Sequence, residues 1–342
     1  MSQVSSRLTR RQALWLITGA AGGLTLHACA QNSSSGQANG PVQAAIGITT
    51  WIGNTALYIA SEKGYFKEAG LDLDLKTFST VAESFPSLTA GQIQAASPVT
   101  AEAVSLAAKG VDFRIVTVMD TSVGADGILA RNSISSIADF KGKKVAVQEG
   151  GVGHFFLLQI LAEAGLSAKD IEIVNTTPDA GAAAYQTGNI DIAYSYSPYM
   201  DKANEAQKDG RIIYDSSKMP TAIADVFAFR SDFVESHPEA VQAFVTGIFK
   251  ALDLLKTSES EGLAIAAQKL NVAPDELGAQ LKGVQLPDLQ TNLSMLSDPQ
   301  SDLYLLKPMK ALAEFLKAQN QIDAVPDLSN VLDPQFVKAV KA

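Results

Sequence analysis

Residues 119–127 read M-D-T-S-V-G-A-D-G, and the rest of the chain is organised around this stretch. It follows the apolar run Phe113–Val118 and precedes Ile128–Ala130, which predicts two strands joined by a loop of small residues. Asp120 and Asp126 have no Lys or Arg beside them in the sequence. A carboxylate in a partly dry place costs free energy unless a positive group meets it. The alternative is a polar turn in which each Asp side chain accepts from nearby backbone.

Strand and helix signals alternate on both sides of this stretch. Predicted strands cover residues 42–48, 71–78, 92–97, 144–147, 171–175, 190–196 and 221–230. Predicted helices cover residues 55–64, 84–90 and 155–164, and the chain from residue 236 onward is largely helical. The alternation predicts an α/β fold with mostly parallel sheets covered by helices, and with ligand chemistry at the carboxyl ends of the strands.

One phrase occurs twice, about one lobe apart. Residues 88–96 read L-T-A-G-Q-I-Q-A-A and residues 185–193 read Y-Q-T-G-N-I-D-I-A, with Gly91 and Gly188 aligned. Each copy predicts a helix, a glycine cap and a strand whose end is polar and contains proline. Either the similarity is accidental, or two similar lobes face each other across a cleft. The second interpretation places lobe I at residues 42–128, lobe II at residues 129–224 and the return to lobe I at residues 225–342.

The first 28 residues predict an export signal. Arg10 and Arg11 resemble a twin-arginine motif, an apolar run follows from Ala13 to Leu26, and L-H-A-C at 26–29 resembles a lipobox. We therefore expect a lipid anchor on Cys29, a flexible tether over residues 29–41 and a periplasmic location. The alternative is a membrane-spanning anchor followed by an unrelated cysteine. Since the chain has 1 Cys, a disulfide and a thiolate metal cluster are excluded from the folded body.

The excess of acidic over basic residues argues against a nucleic-acid partner. Loss of residues 1–28 removes three arginines and no acids, which leaves 24 basic and 36 acidic residues and a formal net charge of −12. No basic face is then available for a phosphate backbone. The remaining residues are enough for two lobes of a soluble, monomeric protein.

Several segments resemble solute-binding proteins of the nitrate/sulfonate/taurine (SsuA/NMT1-like) family of ABC importers. They are I-T-T-W-I-G at 48–53, residues 56–74, L-T-A-G-Q-I at 88–93, F-K-G-K-K-V-A-V at 140–147, residues 151–157 and S-H-P-E-A-V-Q-A-F at 236–244. The resemblance implies a two-lobed periplasmic binding protein fold of type II, in which each lobe is a mostly parallel sheet flanked by helices and a hinge joins the lobes. It also implies a bound small solute, an ABC permease with its ATPase as partners, and no cofactor.

The residues expected in the cleft are acidic and aromatic, without Lys or Arg. They are Trp51, Ser97, Thr100, Glu102, Asp120, Asp126, Glu149, His154, Tyr194, Tyr196 and Asp225. An oxyanion would need cationic or amide donors, whereas carboxylates suit a small cation, and guanidinium offers them a planar fork of donors. The phrase D-x-S-x-G-x-D at 120–126 also resembles the branch of the family associated with urea- and guanidine-using enzymes. Guanidine is therefore the first candidate, with urea or another small amine next; taurine or an alkylsulfonate, nitrate and a thiamine pyrimidine precursor are the alternatives.

An enzyme is the second class of function to weigh. After residue 28 the chain holds only His154 and His237 as histidines, so a His-rich metal site is not expected, and no strained serine elbow is present. Relatives that make a pyrimidine precursor depend on a cysteine-rich segment that this chain lacks. We therefore expect no catalytic residues and no metal, while a sensor-type binding protein of the same fold stays open.

Overall fold

The computed structural model describes residues 40–219 and 222–341. The predicted signal, the lipobox with Cys29 and the tether up to residue 39 lie outside the described residues. Gly40 and Pro41, the last two tether residues, lead directly into the first strand.

Within the described residues, eleven strands form two sheets. They are β1 (Val42–Ile48), β2 (Leu71–Thr77), β3 (Ala95–Ala96), β4 (Phe113–Ser122), β5 (Asp126–Arg131), β6 (Lys144–Val147), β7 (Glu172–Asn175), β8 (Ile192–Tyr196), β9 (Gly210–Asp215), β10 (Ala224–Arg230) and β11 (Val284–Gln285). The first sheet has the order β11-β4-β10-β3-β1-β2 and the second has the order β7-β6-β8-β5-β9. We call the parts of the chain around them lobe I and lobe II.

The helices cover both lobes. They are α1 (Thr55–Glu62), α2 (Tyr65–Glu68), α3 (Phe85–Thr89), α4 (Thr100–Ala108), α5 (Val152–Glu163), α6 (Pro178–Thr187), α7 (Tyr199–Ala206), α8 (Ser231–Ser236), α9 (Pro238–Thr257), α10 (Glu259–Leu270), α11 (Pro274–Gln280), α12 (Leu289–Ser297), α13 (Leu306–Ala318) and α14 (Gln335–Ala339). Short 3-10 turns, such as Ile52–Asn54 and Val81–Ser84, connect some of them.

The prediction of mostly parallel sheets is confirmed at the level of strand direction. In lobe II, β6, β7 and β8 run parallel, and β9 shares their direction because both β8 and β9 pair antiparallel with β5. In lobe I, β1, β2, β3 and β4 share one direction, whereas β10 and β11 run against it. The reversed strands β5 and β10 are those by which the chain enters lobe II and returns to lobe I.

The two crossings between the lobes lie side by side. The first links β4 to β5 through residues 123–125, and the second links β9 to β10. Ser122 of the first crossing and Ser216 of the second share a hydroxyl hydrogen bond of 2.7 Å. The predicted lobe boundary after residue 128 falls within β5, and the boundary after residue 224 falls at the start of β10.

The repeated phrase forms equivalent junctions in the two lobes. Gly91 follows α3 and precedes β3, while Gly188 caps α6 and precedes β8. Both glycines have positive φ, 72° and 85°, a conformation that side chains with a Cβ rarely adopt. The sequence similarity therefore reflects one local geometry built twice.

Aromatic packing joins the long helix α9 to the sheet of lobe I. Phe244 on α9 packs edge-on against Phe227 and Phe229 of β10, with ring centroids 4.9 and 5.0 Å apart. All three rings are buried. Burial of such side chains stabilises a fold by roughly 1.5–3 kcal/mol each. The sheet that carries one wall of the candidate site is thus fixed to α9.

Within residues 40–219 and 222–341, no helix has the length and apolarity needed to cross a bilayer.

Candidate functional site

A small cavity lies between the lobes, at strand ends of both sheets. Lobe I contributes Thr49, Trp51, Thr80, Val81, Ser97, Val99, Glu102, Ile223 and Asp225. Lobe II contributes Asp126, Gln148, Gly151, Val152, Gly153, Pro178, Tyr194 and Tyr196. The cavity volume is about 30 Å³, and one water molecule needs roughly 10–15 Å³ on the same scale. The space therefore suits a solute of only a few heavy atoms.

Asp120 and Asp225 form a buried acid pair across two strands of lobe I. They are directly opposite in the antiparallel pairing of β4 with β10, so their side chains share one face of the sheet. Burial, followed by the neighbouring charges, raises the pKa of Asp225 well above its ordinary value. Burial also raises the pKa of Asp120, to about 7. The charge of Asp120 raises the pKa of Asp225 further, so of the two carboxyls Asp225 is the one that retains its proton.

Trp51 is fixed by this acid pair. Its indole Nε1–H donates to Asp120 Oδ2 over 2.9 Å, and the ring is 4% exposed at the cavity wall. Gly53 lies against this hydrogen bond, since a Cβ there would come within 1.8 Å of Asp120 Oδ2 and 2.3 Å of Trp51 Nε1. Asp120 itself does not line the cavity, so it acts by holding Trp51 and through its charge beside Asp225.

Asp126 presents a carboxylate from lobe II. It is the first residue of β5, it is 2% exposed, and the Tyr194 hydroxyl donates to its Oδ1. Burial raises the pKa of Asp126 to about 6, and the hydrogen bond from Tyr194 offsets part of that increase. Tyr194 is in turn packed against Gly153, where a Cβ would lie 2.0 Å from the tyrosine ring.

Glu102 completes the acidic wall. It is the third residue of α4 and is 2% exposed. Burial raises the pKa of Glu102 to about 7, while the hydrogen bond from the backbone amide of Val99, over 3.2 Å, acts in the opposite direction. In the described part of the chain, neither Glu102 nor the three aspartates have a Lys, Arg or His nitrogen within 4.0 Å.

Tyr196 joins the two lobes at the cavity. Its hydroxyl lies 3.1 Å from Thr49 Oγ1, and its ring meets Trp51 edge-on, with centroids 5.6 Å apart and planes at 83°. Tyr196 is paired with Asp126 in the register of β5 with β8. The aromatic wall is thus tied to both lobes.

Two polar hydrogens of the site are used within the protein, whereas several of its oxygens have no partner. The indole N–H of Trp51 and the hydroxyl of Tyr194 each donate to an aspartate. Among the described residues, three buried oxygens of lining side chains have no hydrogen-bond partner: Asp126 Oδ2, Thr80 Oγ1 and Gln148 Oε1. Buried acceptors without donors are costly. A bound molecule that supplies hydrogen-bond partners would satisfy these atoms. The carboxylate and amide oxygens among them need an N–H or O–H donor.

Most of the sequence-predicted site residues meet at this cavity. Trp51, Ser97, Glu102, Asp126, Tyr194, Tyr196 and Asp225 line it. Asp120 lies behind Trp51, and Thr100 begins α4 nearby. The residues that line the cavity include no Lys or Arg.

Glu149 and His154 are placed elsewhere. Glu149 is exposed, and its backbone N–H donates to Asn175 Oδ1 over 3.0 Å. The ring of His154 is buried and its Nδ1 accepts from the backbone of Gly150 over 3.2 Å. Burial lowers the pKa of His154, so the ring stays neutral as an acceptor that closes the glycine-rich loop. Neither side chain is part of the cavity wall.

Gln148 is the main lining residue that the sequence reasoning missed. It directly follows β6 and precedes Glu149. Both residues lie beyond the end of β6, in the turn before α5, so the alternation of the strand does not fix which of them faces the cavity. The buried run Val145–Val147 gives no indication of which one does. In the described residues, no group of three His, Cys, Asp or Glu side chains is placed to hold a metal ion.

Comparison with known proteins agrees with the fold and identifies the family. The profile of the family described as NMT1/THI5 like matches residues 51–259, which is more than half of the sequence. The chain belongs to the NMT1/THI5-like family. It is 29% identical over 291 residues to the taurine-binding periplasmic protein of Escherichia coli, covering 81% of this chain and 88% of that protein.

Solved structures of periplasmic binding proteins share the fold. The alkanesulfonate-binding protein SsuA from Xanthomonas axonopodis pv. citri, bound to MOPS, superposes with a TM-score of 0.71 at 20% identity, covering 87% of this chain and 100% of that one. The aliphatic sulphonate binding protein SsuA from Escherichia coli gives a TM-score of 0.68 at 21% identity, covering 85% and 97%. The predicted two-lobed periplasmic binding protein fold is confirmed.

Proposed function

We propose that this member of the NMT1/THI5-like family is the solute-binding protein of an ABC importer and that it binds a small organic cation, with guanidinium as the first candidate. The observation that carries the proposal is the cavity itself, where buried carboxyl and amide oxygens lack donors. A ligand that brings several N–H groups and a positive charge satisfies both deficits.

Charge favours a cation over a sulfonate at this wall. Two unit charges 4 Å apart interact by about 4 kcal/mol at the effective dielectric of a protein surface. The sign is favourable for a cation beside the Asp126 carboxylate and unfavourable for an anion. The lining side chains include no Lys, Arg or His that would reverse it.

The distribution of acceptors favours a planar, multidentate donor. Thr80 approaches from lobe I, whereas Asp126 and Gln148 approach from lobe II. A guanidinium ion directs its N–H groups outward in one plane, and the face of Trp51 can cover that plane by a cation–π contact worth roughly 0.5–2 kcal/mol. A single ammonium group offers fewer donors to the same set.

Taurine is the second candidate, because the relative from Escherichia coli is a taurine-binding protein. The ammonium group of taurine could occupy the acidic wall. Its sulfonate would need donors of its own, and the backbone at the start of α5 is the part of the wall that could supply them. Nitrate and alkylsulfonates lack the ammonium group and suit this wall less well.

Calorimetry with matched ligands tests the proposal. Guanidinium and urea have nearly the same shape and differ in charge, so we expect guanidinium to bind at least tenfold more tightly than urea, and taurine and nitrate to bind more weakly still. Asp126→Asn keeps the shape of the wall and removes one charge. Losing one charge-assisted hydrogen bond costs roughly 1.5–3 kcal/mol, or about ten- to a hundredfold in affinity.

The control for this variant is Asp209→Asn, a substitution of an exposed acid in lobe II. It changes the net charge by the same amount and should leave the affinity for guanidinium unchanged. Tight binding of taurine without binding of guanidinium would replace the first candidate with the second.

A separate experiment distinguishes a binding protein from an enzyme. After prolonged incubation with the protein, a bound ligand should be recovered unaltered.

We further propose that the protein works outside the cytoplasm, as a lipid-anchored monomer that delivers its solute to a permease driven by an ATPase. The supporting features are the export signal and the lipobox at Cys29, which lie outside the described residues, and the periplasmic relatives. Cys29→Ser should release the protein from membranes and leave solute binding intact. Unchanged membrane association of that variant would refute the anchor.

A further inference from the structure

The side chain of Gln148 connects the two lobes at the rim of the cavity. Gln148 lies in lobe II, in the turn between β6 and α5, and it lines the cavity. Its amide nitrogen donates a long hydrogen bond, 3.5 Å, to Glu83 Oε1. Glu83 belongs to the 3-10 turn Val81–Ser84 of lobe I, is exposed and does not line the cavity.

The other end of this amide group has no partner. Among the described residues, Gln148 Oε1 is buried without a hydrogen bond. It lies close to Gly151, where an added Cβ would come within 3.2 Å of it, and Gly151 lines the same cavity. Since the nitrogen is held at the rim, the oxygen is the end of the amide that is left for a solute.

The backbone on either side of Gln148 is fixed. The Glu149 amide donates to Asn175 Oδ1 over 3.0 Å, and the Gly151 amide donates to the Gln148 carbonyl over 3.3 Å. The amide group of Gln148 can still exchange its oxygen and nitrogen ends, because the two ends have nearly the same shape. An ionised carboxylate only accepts hydrogen bonds, so Glu83 attracts the NH₂ end and repels the oxygen end.

We propose that Glu83 is a positioning residue which, by holding the amide nitrogen of Gln148 at the rim, makes Gln148 an acceptor towards the solute. The inference rests on the proposed function and deepens it, because Gln148 can recognise an N–H group only while its amide keeps this orientation. A reversed amide would offer its NH₂ group and would suit an oxyanion instead. An exposed acid outside the cavity wall thus takes part in the choice of solute.

A double-mutant cycle tests whether Glu83 acts through Gln148. Glu83→Ala leaves the amide free to turn either end to the solute, so we expect the affinity for guanidinium to fall by about threefold or more. In a Gln148→Ala background no amide is left to orient, and Glu83→Ala should then have a much smaller effect. An effect of the Glu83 charge alone would persist in both backgrounds.

Glu83→Lys separates orientation of the amide from a simple bridge between the lobes. The introduced ammonium group only donates, so it can still join lobe I to Gln148, but it would hold the amide oxygen and turn the NH₂ group inward. If Glu83 orients the amide, Glu83→Lys should bind guanidinium more weakly than Glu83→Ala does. If Glu83 only bridges the lobes, that order should reverse. The same two substitutions in the Gln148→Ala background measure the effect of the added charge, which is subtracted.

Isothermal titration calorimetry of the full chain with guanidinium measures these affinities, after cooperative thermal unfolding has shown that each variant is folded. Glu149→Ala and Glu149→Lys are the controls, because Glu149 is exposed, adjoins Gln148 and does not line the cavity. They change the net charge by the same amounts and should show no coupling to Gln148→Ala.

Three results would overturn the inference. They are equal losses from Glu83→Ala in the two backgrounds, no loss in either, and tighter binding by Glu83→Lys than by Glu83→Ala after the subtraction. Failure of the proposed function would look different. A parent protein that binds taurine and ignores guanidinium would refute the cationic ligand, and the inference with it, whereas a parent that binds guanidinium without coupling between Glu83 and Gln148 would refute the inference alone.

Discussion

At the scale of single residues, the site depends on which hydrogen-bonding groups are already used. Trp51 presents its ring to the cavity while its N–H is held by Asp120. Asp120 therefore acts through Trp51 and Asp225, and it is a positioning residue. The arrangement turns a wall with several polar hydrogens into one that offers acceptors to a ligand.

Gly53→Ala should disrupt this arrangement from outside the cavity wall. The added Cβ would overlap Asp120 Oδ2 at 1.8 Å and Trp51 Nε1 at 2.3 Å, so the hydrogen bond between them must break. We expect at least a tenfold loss in affinity for guanidinium, since Trp51 and Asp225 both lose their support. In a Trp15→Phe background, Trp51 is the only tryptophan, and its emission should shift to longer wavelength.

Gly40→Ala is the matched control for this substitution. A Cβ at Gly40 meets nothing within 4 Å, so affinity and emission should match those of the parent. A Gly53→Ala variant with parental emission and parental affinity would show that the hydrogen bond between Trp51 and Asp120 is unimportant for the site.

Residue types could be predicted from the sequence better than side-chain directions. The acidic and aromatic character of the cavity followed from residue types at strand ends, and Trp51, Glu102 and Asp126 line it. The choice between Gln148 and Glu149 depended on the direction of the turn that follows β6. The four-residue buried strand before it does not reveal that direction. The connection between Asp120 and Trp51 required the fold, because 69 residues separate them.

At the scale of elements, the two strand pairs that cross between the lobes also build the site. β4 brings Asp120, β5 begins with Asp126 and β10 brings Asp225. The backbone carbonyl of Gly283, next to β11, accepts from the amides of Val123 and Ala125 over 2.8 and 3.1 Å. The loop between the two aspartates is therefore held by a third segment of the chain.

The alternation of strands and helices was predictable, and the exceptions have physical causes. β1 and β2 match the predicted segments closely because their apolar patterns are strong. β3 has only two residues, Ala95 and Ala96, where a longer strand was predicted, because the amides of Gln92 and Ile93 donate back to the Ser87 carbonyl of α3. The reversal of β5 and β10 could not be read from local patterns, because strand direction depends on how the chain crosses between sheets.

Gly153→Ala tests how α5 supports the acidic wall. A Cβ at this position would lie 2.0 Å from the Tyr194 ring, so the ring must move and its hydroxyl must leave Asp126. We expect a loss in guanidinium affinity of at least tenfold, together with a lower melting temperature from overpacking. Thermal shift and calorimetry measure the two effects.

The control is Gly181→Ala on α6, in the same lobe. The nearest atoms to a Cβ there are at 3.5 and 3.6 Å, which are ordinary contacts. Alanine also favours the helix by roughly 1 kcal/mol relative to glycine. The variant should therefore bind as the parent does and melt no lower, and equal affinities for Gly153→Ala and Gly181→Ala would show that α5 does not position Tyr194.

At the scale of the whole molecule, the cavity concentrates negative potential at the place where the lobes meet. Glu102 and Asp225 come from lobe I, and Asp126 comes from lobe II. A cationic solute, as proposed, would be a counter-ion for both lobes, and its charge should favour the closed arrangement in which Tyr196 reaches Thr49. In its absence the carboxyl groups can reduce their repulsion only by retaining protons.

Binding should therefore exchange protons for the cation. In the free protein, burial raises the pKa of Asp120 and Glu102 to about 7 and of Asp126 to about 6. A bound cation stabilises the ionised carboxylates and lowers these pKa values again. Between about pH 4 and pH 7 the free protein then holds more protons than the complex, so binding releases protons and the affinity rises with pH. Guanidinium keeps its charge across this range, since guanidinium groups have pKa values above about 12.

The expected slope is at most tenfold in affinity per pH unit for each proton released. Calorimetry between about pH 5 and pH 8, in pairs of buffers with different ionisation enthalpies, measures both the affinity and the number of protons. Asp126→Asn removes one titrating group, so it should release fewer protons near pH 6 than the Asp209→Asn control does. An oxyanion would show the reverse, with proton uptake and weaker binding as the pH rises. Proton uptake on addition of guanidinium, or an affinity that falls with pH, would mean that the carboxyl groups of the cavity are not the counter-ions of the solute.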